Sequence, residues 1–152
     1  MTTNHQWELM LPKEFYEEMT KAPIAYLSFG PMEEHGLHCS MGTDFQISRE
    51  LCLRAARISG GIAHPTVPLA QPWFPGLSRK EIRDKVIELY PPSLWISREL
   101  LESICLEMLE SLSELGFKLC VAVSGHYPGE VLLQALEKKI VGKVGPMKFW
   151  GT

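Results

Sequence analysis

The sequence has no long apolar run and no concentration of basic residues. Its longest apolar stretches, such as Leu119 to Val123, are far too short to cross a bilayer, and this excludes a membrane-spanning helix. The net charge is −3 with no basic stripe, a pattern that argues against nucleic-acid binding. The first ten residues, MTTNHQWELM, lack the basic start and apolar core of a signal peptide. These absences favour a cytoplasmic protein that contacts neither nucleic acid nor membrane.

Several catalytic and redox motifs are also missing. The cysteines show no C-x-x-C spacing, so without an export signal they are expected to be reduced thiols. Ser124 precedes His126 by two positions, but no G-x-S-x-G elbow surrounds it. Cys39 follows His38 without an identifiable third group to orient the pair. Gly30-Pro31-Met32 lacks the lysine and the spacing of a phosphate loop. A nucleophilic serine or cysteine and a nucleotide site are therefore both disfavoured.

Apolar periodicity indicates alternating strands and helices. No repeat or linker interrupts the chain, so we expect a single domain over residues 1–152. The second predicted helix is expected to bury the stripe formed by Ile47, Leu51, Ala55 and Ile58. This alternation favours an α/β fold with a mainly parallel sheet. The pattern predicts helices over 12–20, 43–59, 93–115 and from Pro128 onward, strands over 25–29 and 117–123, and a weaker strand over 62–69 that contains two prolines.

Residues 70–92 are rich in proline and are predicted to be largely irregular. A loop of this length in a compact domain usually has a function, for example as a lid. Trp73 and Trp95 lie in and just after this segment. They either line a substrate pocket or pack in the core or a lid.

Residues 33–44, EEHGLHCSMGTD, are dense in side chains that bind metals. Glu33, His35 and Asp44 follow the strand over 25–29, and His126 follows the strand over 117–123. Parallel strands place these carboxyl ends at one edge of the sheet. In extended backbone, residues two apart point the same way, so Glu33 and His35 can face one cavity. Two histidines and two carboxylates suit one or two divalent ions such as Zn, Mn or Fe.

Simpler interpretations exist for several of these polar residues. Asp44 and Glu130 could each be an acid in the first turn of a helix, where the helix dipole favours negative charge. His38 could be an ordinary turn residue. Glu34 is expected to face solvent, and Cys39 is more readily explained as a passive thiol than as a ligand.

The two polar blocks resemble those of the creatininase (creatinine amidohydrolase) family. That family's first block runs roughly P-x-G-S-x-E-x-H-G-x-H-L-P-x-x-T-D, and residues 30–44 here read GPMEEHGLHCSMGTD. Its second block, N-G-H-G-G-N or N-G-H-Y-E-N, follows a buried strand that "GF" precedes. Here Gly116-Phe117 precedes the strand and residues 124–130 read SGHYPGE. Phe74-Pro75-Gly76 is similar to the family's F-P-G-T. The match covers nearly the whole chain in the correct order.

The resemblance implies a three-layer α/β/α sandwich and a metal-dependent hydrolase of small cyclic or linear amides. By position, Glu33 and His126 would bind one metal, His35 the other, and Asp44 would bridge the two. His38 matches a histidine that lines the family's site and is our candidate for the proton shuttle. Members of this family commonly form homo-oligomers, often hexamers.

The sequence also departs from the family pattern. Ser124 replaces the usual asparagine, and Pro128 stands where creatininase has a second-block glutamate ligand. Glu130, two positions later, could reach the same metal. The family's S-H-A-G-E-like segment has no counterpart after residue 131, so the chain resembles a member shortened at its C-terminus. These departures favour an alternative: a non-catalytic relative that binds metal or a metabolite, or serves as an assembly subunit.

Overall fold

The computed structural model describes residues 4–72, 74, 76–86, 93–140 and 144–152. Within these ranges, four parallel strands form one sheet in the order β2-β1-β3-β4. No described helix is long and apolar enough to span a membrane. The strands are β1 (Ile24–Phe29), β2 (Ile62–Ala63), β3 (Leu119–Ser124) and β4 (Lys148–Gly151). After a 3-10 turn at Trp7–Leu9, the helices are α1 (Pro12–Lys21), α2 (Thr43–Ser59), α3 (Arg79–Val86), α4 (Arg98–Glu114) and α5 (Tyr127–Ile140).

Helices cover both faces of the sheet. Successive side chains of a strand point to opposite faces, and β1 shows this division. Leu27 and Phe29 belong to the main core with the apolar faces of α4 and α5. Tyr26 packs instead in a smaller core with Cys52 and Ala56 of α2. The predicted α/β/α arrangement with a mainly parallel sheet is therefore confirmed.

The register of the two central strands determines where the polar segments meet. Phe29 pairs with Ser124 at the carboxyl ends of β1 and β3, so the residues after each strand emerge side by side. Gly125 N donates a hydrogen bond to Phe29 O at 3.0 Å. A Cβ atom on Gly125 would lie only 2.0 Å from Asp44 O. The turn after β3 therefore packs directly on the first turn of α2, and only glycine fits at this position.

The prediction for the buried face of α2 was wrong for three of its four residues, and only Ala55 packs, partly buried, against the smaller core. Ile47 and Leu51 are each 51% exposed and Ile58 is 84% exposed. The helix instead buries five residues, of which all but Leu53 are small or polar: Asp44, Ser48, Cys52, Leu53 and Ala56. Small side chains let α2 approach the strands closely, and Ser48 Oγ donates to Phe29 O at 2.9 Å. A prediction based on the spacing of large apolar residues therefore did not identify this face.

Four further elements differ from expectation. The proline-rich stretch contains α3, which begins with a reciprocal cap: Glu81 N donates to Ser78 Oγ, and Ser78 N donates to Glu81 Oε2. The long helix begins at Arg98 rather than near 93, because Ser97 Oγ caps Leu100 N. Strand β2 spans only two residues, and β4 was not predicted. Trp73, Pro75 and residues 87–92 of the predicted loop lie outside the described residues. The single-domain assignment remains a prediction.

Candidate metal centre

The loop after β1 places Glu33 at the edge of the sheet. Glu33 N donates to Met41 O at 2.9 Å, which closes the loop before α2 begins at Thr43. Asp44, in the first turn of α2, is buried and faces the turn after β3. On that turn, Ser124 Oγ accepts from His126 N at 3.1 Å and donates to His126 O at 2.8 Å. Ser124 therefore fixes the backbone of His126.

Glu33, Asp44 and His126 form a buried cluster at this edge. One donor atom from each lies within 4.8 Å of the others. His126 Nδ1 is 3.1 Å from Asp44 Oδ2 and 3.3 Å from Glu33 Oε2. None of the three residues is more than 9% exposed. The structure thus brings together three of the four residues that the sequence suggested as ligands, from segments up to 93 positions apart along the chain.

His35 contacts the cluster through Asp44 and is not within the group of three. Its Nε2 lies 2.9 Å from Asp44 Oδ1, and its side chain is 31% exposed. Asp44 consequently has a histidine at each oxygen: His35 at Oδ1 and His126 at Oδ2. A carboxylate with both oxygens directed at histidine nitrogens has the geometry that is needed to join two adjacent sites.

Both histidines are held through their outer ring nitrogen by a main-chain carbonyl. His126 Nε2 lies 3.1 Å from Gln71 O, and His35 Nδ1 lies 3.0 Å from Glu33 O. A carbonyl oxygen can only accept, so the facing nitrogen must carry the proton. The inner nitrogen of each ring is then the one that can offer a lone pair to a cation. Metal-binding histidines characteristically donate their other N–H in this way.

Burial and neighbouring charges shift the pKa of Glu33 in this cluster. Burial raises the pKa of Glu33 above its ordinary value, and Asp44 raises it further. His126, His35 and the Trp95 indole act in the opposite direction and lower this pKa, but the net direction is upward. Among the described residues, Glu33 Oε2 is buried without a well-formed hydrogen bond. A buried acceptor of this kind is costly unless something pairs with it, and a cation would do so.

Other residues singled out from the sequence lie away from the cluster. His38 is exposed on the turn before α2 and forms no hydrogen bond or ion pair with the cluster within the described part of the chain, so its proposed role remains a prediction. Cys39 is also exposed. Glu130, in the first turn of α5, accepts from Gln134 Nε2 at 2.9 Å. Glu34 N donates to Ser93 Oγ at 3.4 Å, which ties the loop to the segment before α4.

Sequence reasoning missed Gln71. Its contribution is a main-chain carbonyl, which any residue type provides, so no pattern in the sequence marks it. Trp95 was recognised only as either a pocket or a core residue. The structure places it beside Glu33, because Leu94 N donates to Met32 O at 2.9 Å and Ile96 N donates to Ala70 O at 3.0 Å. A cavity of about 730 Å³ adjoins the cluster, and both Gln71 and Trp95 line it.

Comparison with known proteins yields one family and one fold. The family model for creatininase, described as creatinine amidohydrolase, matches residues 8–149. A crystal structure of creatinine amidohydrolase superposes with a TM-score of 0.75 at 17% identity, covering 95% of this chain and 56% of that one. A manganese creatininase and a mutant creatininase of Zn–Zn type each give 0.73 at 17% identity, with 97% and 58% coverage. This chain spans little more than half the length of these proteins. No curated protein sequence matches it.

Proposed function

The chain belongs to the creatininase family, and we propose that it is a metal-dependent hydrolase. The reaction would cleave a C–N amide bond, other than a peptide bond, in a small cyclic or linear molecule. The observation that carries this proposal is the buried meeting of Glu33, Asp44 and His126, with donor atoms within 4.8 Å of one another. Similarity at 17% identity speaks only for the fold, so the argument for chemistry rests on these side chains.

The cluster fits a divalent cation such as Zn, Mn or Fe. Two carboxylates and an imidazole are suitable donors for all three ions. Donor atoms about 2.0–2.2 Å from a tetrahedral ion lie roughly 3.3–3.6 Å apart, and the separations around His126 Nδ1 are 3.1 and 3.3 Å. Glu33 Oε2 is buried, and its ion-pair contact with His126 Nδ1 is not a well-formed hydrogen bond, which supplies a further reason for a cation here. When bound, the ion would supply an activated water and polarise the amide carbonyl.

The protein's own groups hold the site in a ligand-ready state. The Gln71 carbonyl keeps the proton of His126 on Nε2, so Nδ1 faces the two carboxylates. The Glu33 carbonyl does the same for His35, whose Nε2 then faces Asp44. Hydrolysis also requires a proton for the leaving nitrogen. His38, on the neighbouring exposed turn, is our candidate for that transfer.

One ion is better supported than two. A second ion beside His35 would have His35 and Asp44 as protein donors among the described residues. Pro128 carries no donor side chain, and Glu130 does not belong to the group of close donor atoms. Two protein donors are fewer than the three that catalytic zinc sites usually have. This observation also favours the second candidate function, a non-catalytic relative that binds one metal ion or a metabolite, or serves as an assembly subunit.

A small-molecule amide substrate, a cytoplasmic location and a homo-oligomeric state complete the proposal. The substrate class and the oligomer rest on the family resemblance, and the location rests on the composition of the sequence. Light scattering coupled to size-exclusion chromatography would test the oligomer directly, and a monomer would contradict it.

Metal content is the decisive measurement for the proposed function. We expect about one equivalent of Zn, Mn or Fe in the purified protein and its loss in Asp44→Asn, which removes a carboxylate from the centre of the cluster. Asp84→Asn is the matched control, because Asp84 is an exposed aspartate that pairs with Lys80 on α3. A parent protein without stoichiometric metal would refute the metal centre. Metal without turnover on a panel of small amides would support the non-catalytic alternative.

A further inference from the structure

The cavity beside the Glu33–Asp44–His126 cluster has the size and the lining of a small-molecule site. Its volume of about 730 Å³ lies within the range usual for such sites. It lies between the segment after residue 70, the start of α4 and the first turns of α5. Most of its wall is apolar, and the described lining includes three aromatic residues. The side chains that define it are Phe74, Trp95, Ile96, Tyr127 and Val131.

Gln71 lies between this cavity and the Glu33–Asp44–His126 cluster. Gln71 lines the cavity, and its main-chain oxygen faces His126 Nε2 at 3.1 Å. The side chain of Gln71 donates to Pro128 O at 2.7 Å, which joins this wall to the first turn of α5. Trp95 lines the cavity as well, and its indole lies close enough to Glu33 to affect the pKa of that carboxyl group. Glu33, Asp44 and His126 do not themselves line the cavity, so a molecule in it would lie across Gln71 and Trp95 from the proposed ligands.

The lining is predominantly apolar, with its polar part contributed by Gln71 and by Ser93, Ser97, Arg98 and Glu99 near the start of α4, so it offers more surface to an apolar group than to a wholly polar one. A polar group that leaves water for an apolar wall loses its hydrogen bonds without replacement. An apolar ring gains free energy from the same transfer, in proportion to the area that it buries. Phe74 and Trp95 stand edge to face, with ring centroids 6.5 Å apart, and offer both an aromatic face and an aromatic edge to a third ring. The chemistry of the cavity thus favours a flat apolar group.

We propose that this cavity holds an aromatic or similarly flat apolar substituent of the substrate while the adjoining amide lies at the Glu33–Asp44–His126 cluster. The inference rests on the proposed function and narrows its substrate class. The preferred substrates are amides that carry such a substituent, and small amides without one bind weakly.

Val131 offers a way to close the cavity without disturbing the core. It lies in the first turns of α5, lines the cavity and is 38% exposed, so a larger side chain can be accommodated there. Val131→Trp is expected to occupy space that the ring would use. Leu94→Trp does the same from the segment before α4, at a residue that is also exposed. Ile58→Trp is the matched control, because Ile58 is exposed on α2, which covers the opposite face of the sheet.

The test compares the binding of phenylacetamide and acetamide to the metal-free protein by ligand-observed NMR titration. We expect the parent and Ile58→Trp to bind phenylacetamide at least about tenfold more tightly than acetamide, since burial of even part of a phenyl ring suffices for that ratio. Val131→Trp and Leu94→Trp should each reduce the ratio toward one. Equal affinity for the two amides in the parent, or an unchanged ratio in both cavity variants, would overturn the inference.

Metal content measured on the same samples separates the two proposals. Stoichiometric metal and amide turnover with no preference for the aromatic amide would refute the substrate class and leave the proposed function intact. Tight binding of phenylacetamide that depends on Val131, in a protein that never takes up metal, would support the cavity assignment and refute the hydrolase.

Discussion

Gly125 links the fold to the candidate site, and replacing it with alanine tests that link. The Cβ atom of Gly125→Ala would lie 2.0 Å from Asp44 O and 2.7 Å from Asp44 C, whereas real Cβ atoms essentially never come closer than 3.0 Å to such atoms. These atoms belong to backbone, so no side-chain rotation relieves the contact. The turn after β3 must therefore move away from α2 by about 1 Å, the shortfall from that limit.

A displacement of this size separates His126 from Asp44. Metal sites tolerate deviations of about 0.2 Å in their ligand distances, so a shift of about 1 Å exceeds the tolerance several-fold. We expect at least about a tenfold loss of metal affinity, comparable to the loss of a supporting contact around a metal ligand. Overpacking of this kind should also lower the free energy of unfolding by about 1–3 kcal/mol. Competition with a chromogenic chelator measures the affinity, and urea unfolding measures the stability.

Gly116→Ala is the control, because it separates backbone strain from steric contact. Gly116 has a φ of +97°, and no atom lies within 4 Å of the position that a Cβ would take there, whereas Gly125 has no positive φ and a severe contact. Alanine at position 116 should cost about 1–2 kcal/mol through its left-handed conformation and leave metal affinity unchanged. The reasoning fails if Gly125→Ala binds metal as tightly as the parent does, or if Gly116→Ala loses metal to the same extent.

Two further predictions concern the charge of the cluster and the orientation of α2. In chelator-treated protein, Glu33 has a folded-state pKa above its ordinary value of 4.5, so the stability that it contributes is full below that value and is lost as the pH rises through the raised pKa. The free energy of unfolding of Glu33→Gln, measured in urea, should therefore rise relative to that of the parent between pH 4.5 and pH 7. The same difference between variant and parent at pH 4.5 and at pH 7 would contradict this. On α2, Ile58→Ser should change the free energy of unfolding by less than about 0.5 kcal/mol. Ala56→Leu, at a fully buried position, should cost about 1–3 kcal/mol, and the reverse order would mean that the face predicted from apolar periodicity is the buried one.

The sequence predicted the order of the main elements because their patterns are local. The apolar runs of β1 and β3 and the glycines that end the flanking helices can be recognised within a few residues. The buried face of α2 could not be found in this way, because four of its five buried residues, Asp44, Ser48, Cys52 and Ala56, look polar or small. Close approach to the strands selects small residues at those positions, and that requirement appears only when the helix is placed on the sheet. Helix α3 did have a local signal, Ser78-x-x-Glu81, and proline content obscured it.

The candidate ligands could be predicted for a related reason. The backbone group that orients one of them could not. Glu33, Asp44 and His126 are side chains of a recognisable chemical type at strand ends, and the register of two parallel strands brings such ends together whatever the intervening sequence. The group that sets the tautomer of His126 is the main-chain carbonyl of Gln71, which the side chain does not reveal. Gln71 also lies between the Glu33–Asp44–His126 cluster and the apolar cavity. Under the two proposals, this one backbone segment orients the histidine that would bind a cation and adjoins the cavity that would select the substituent. A change that moves the segment should therefore alter metal affinity and substrate preference together.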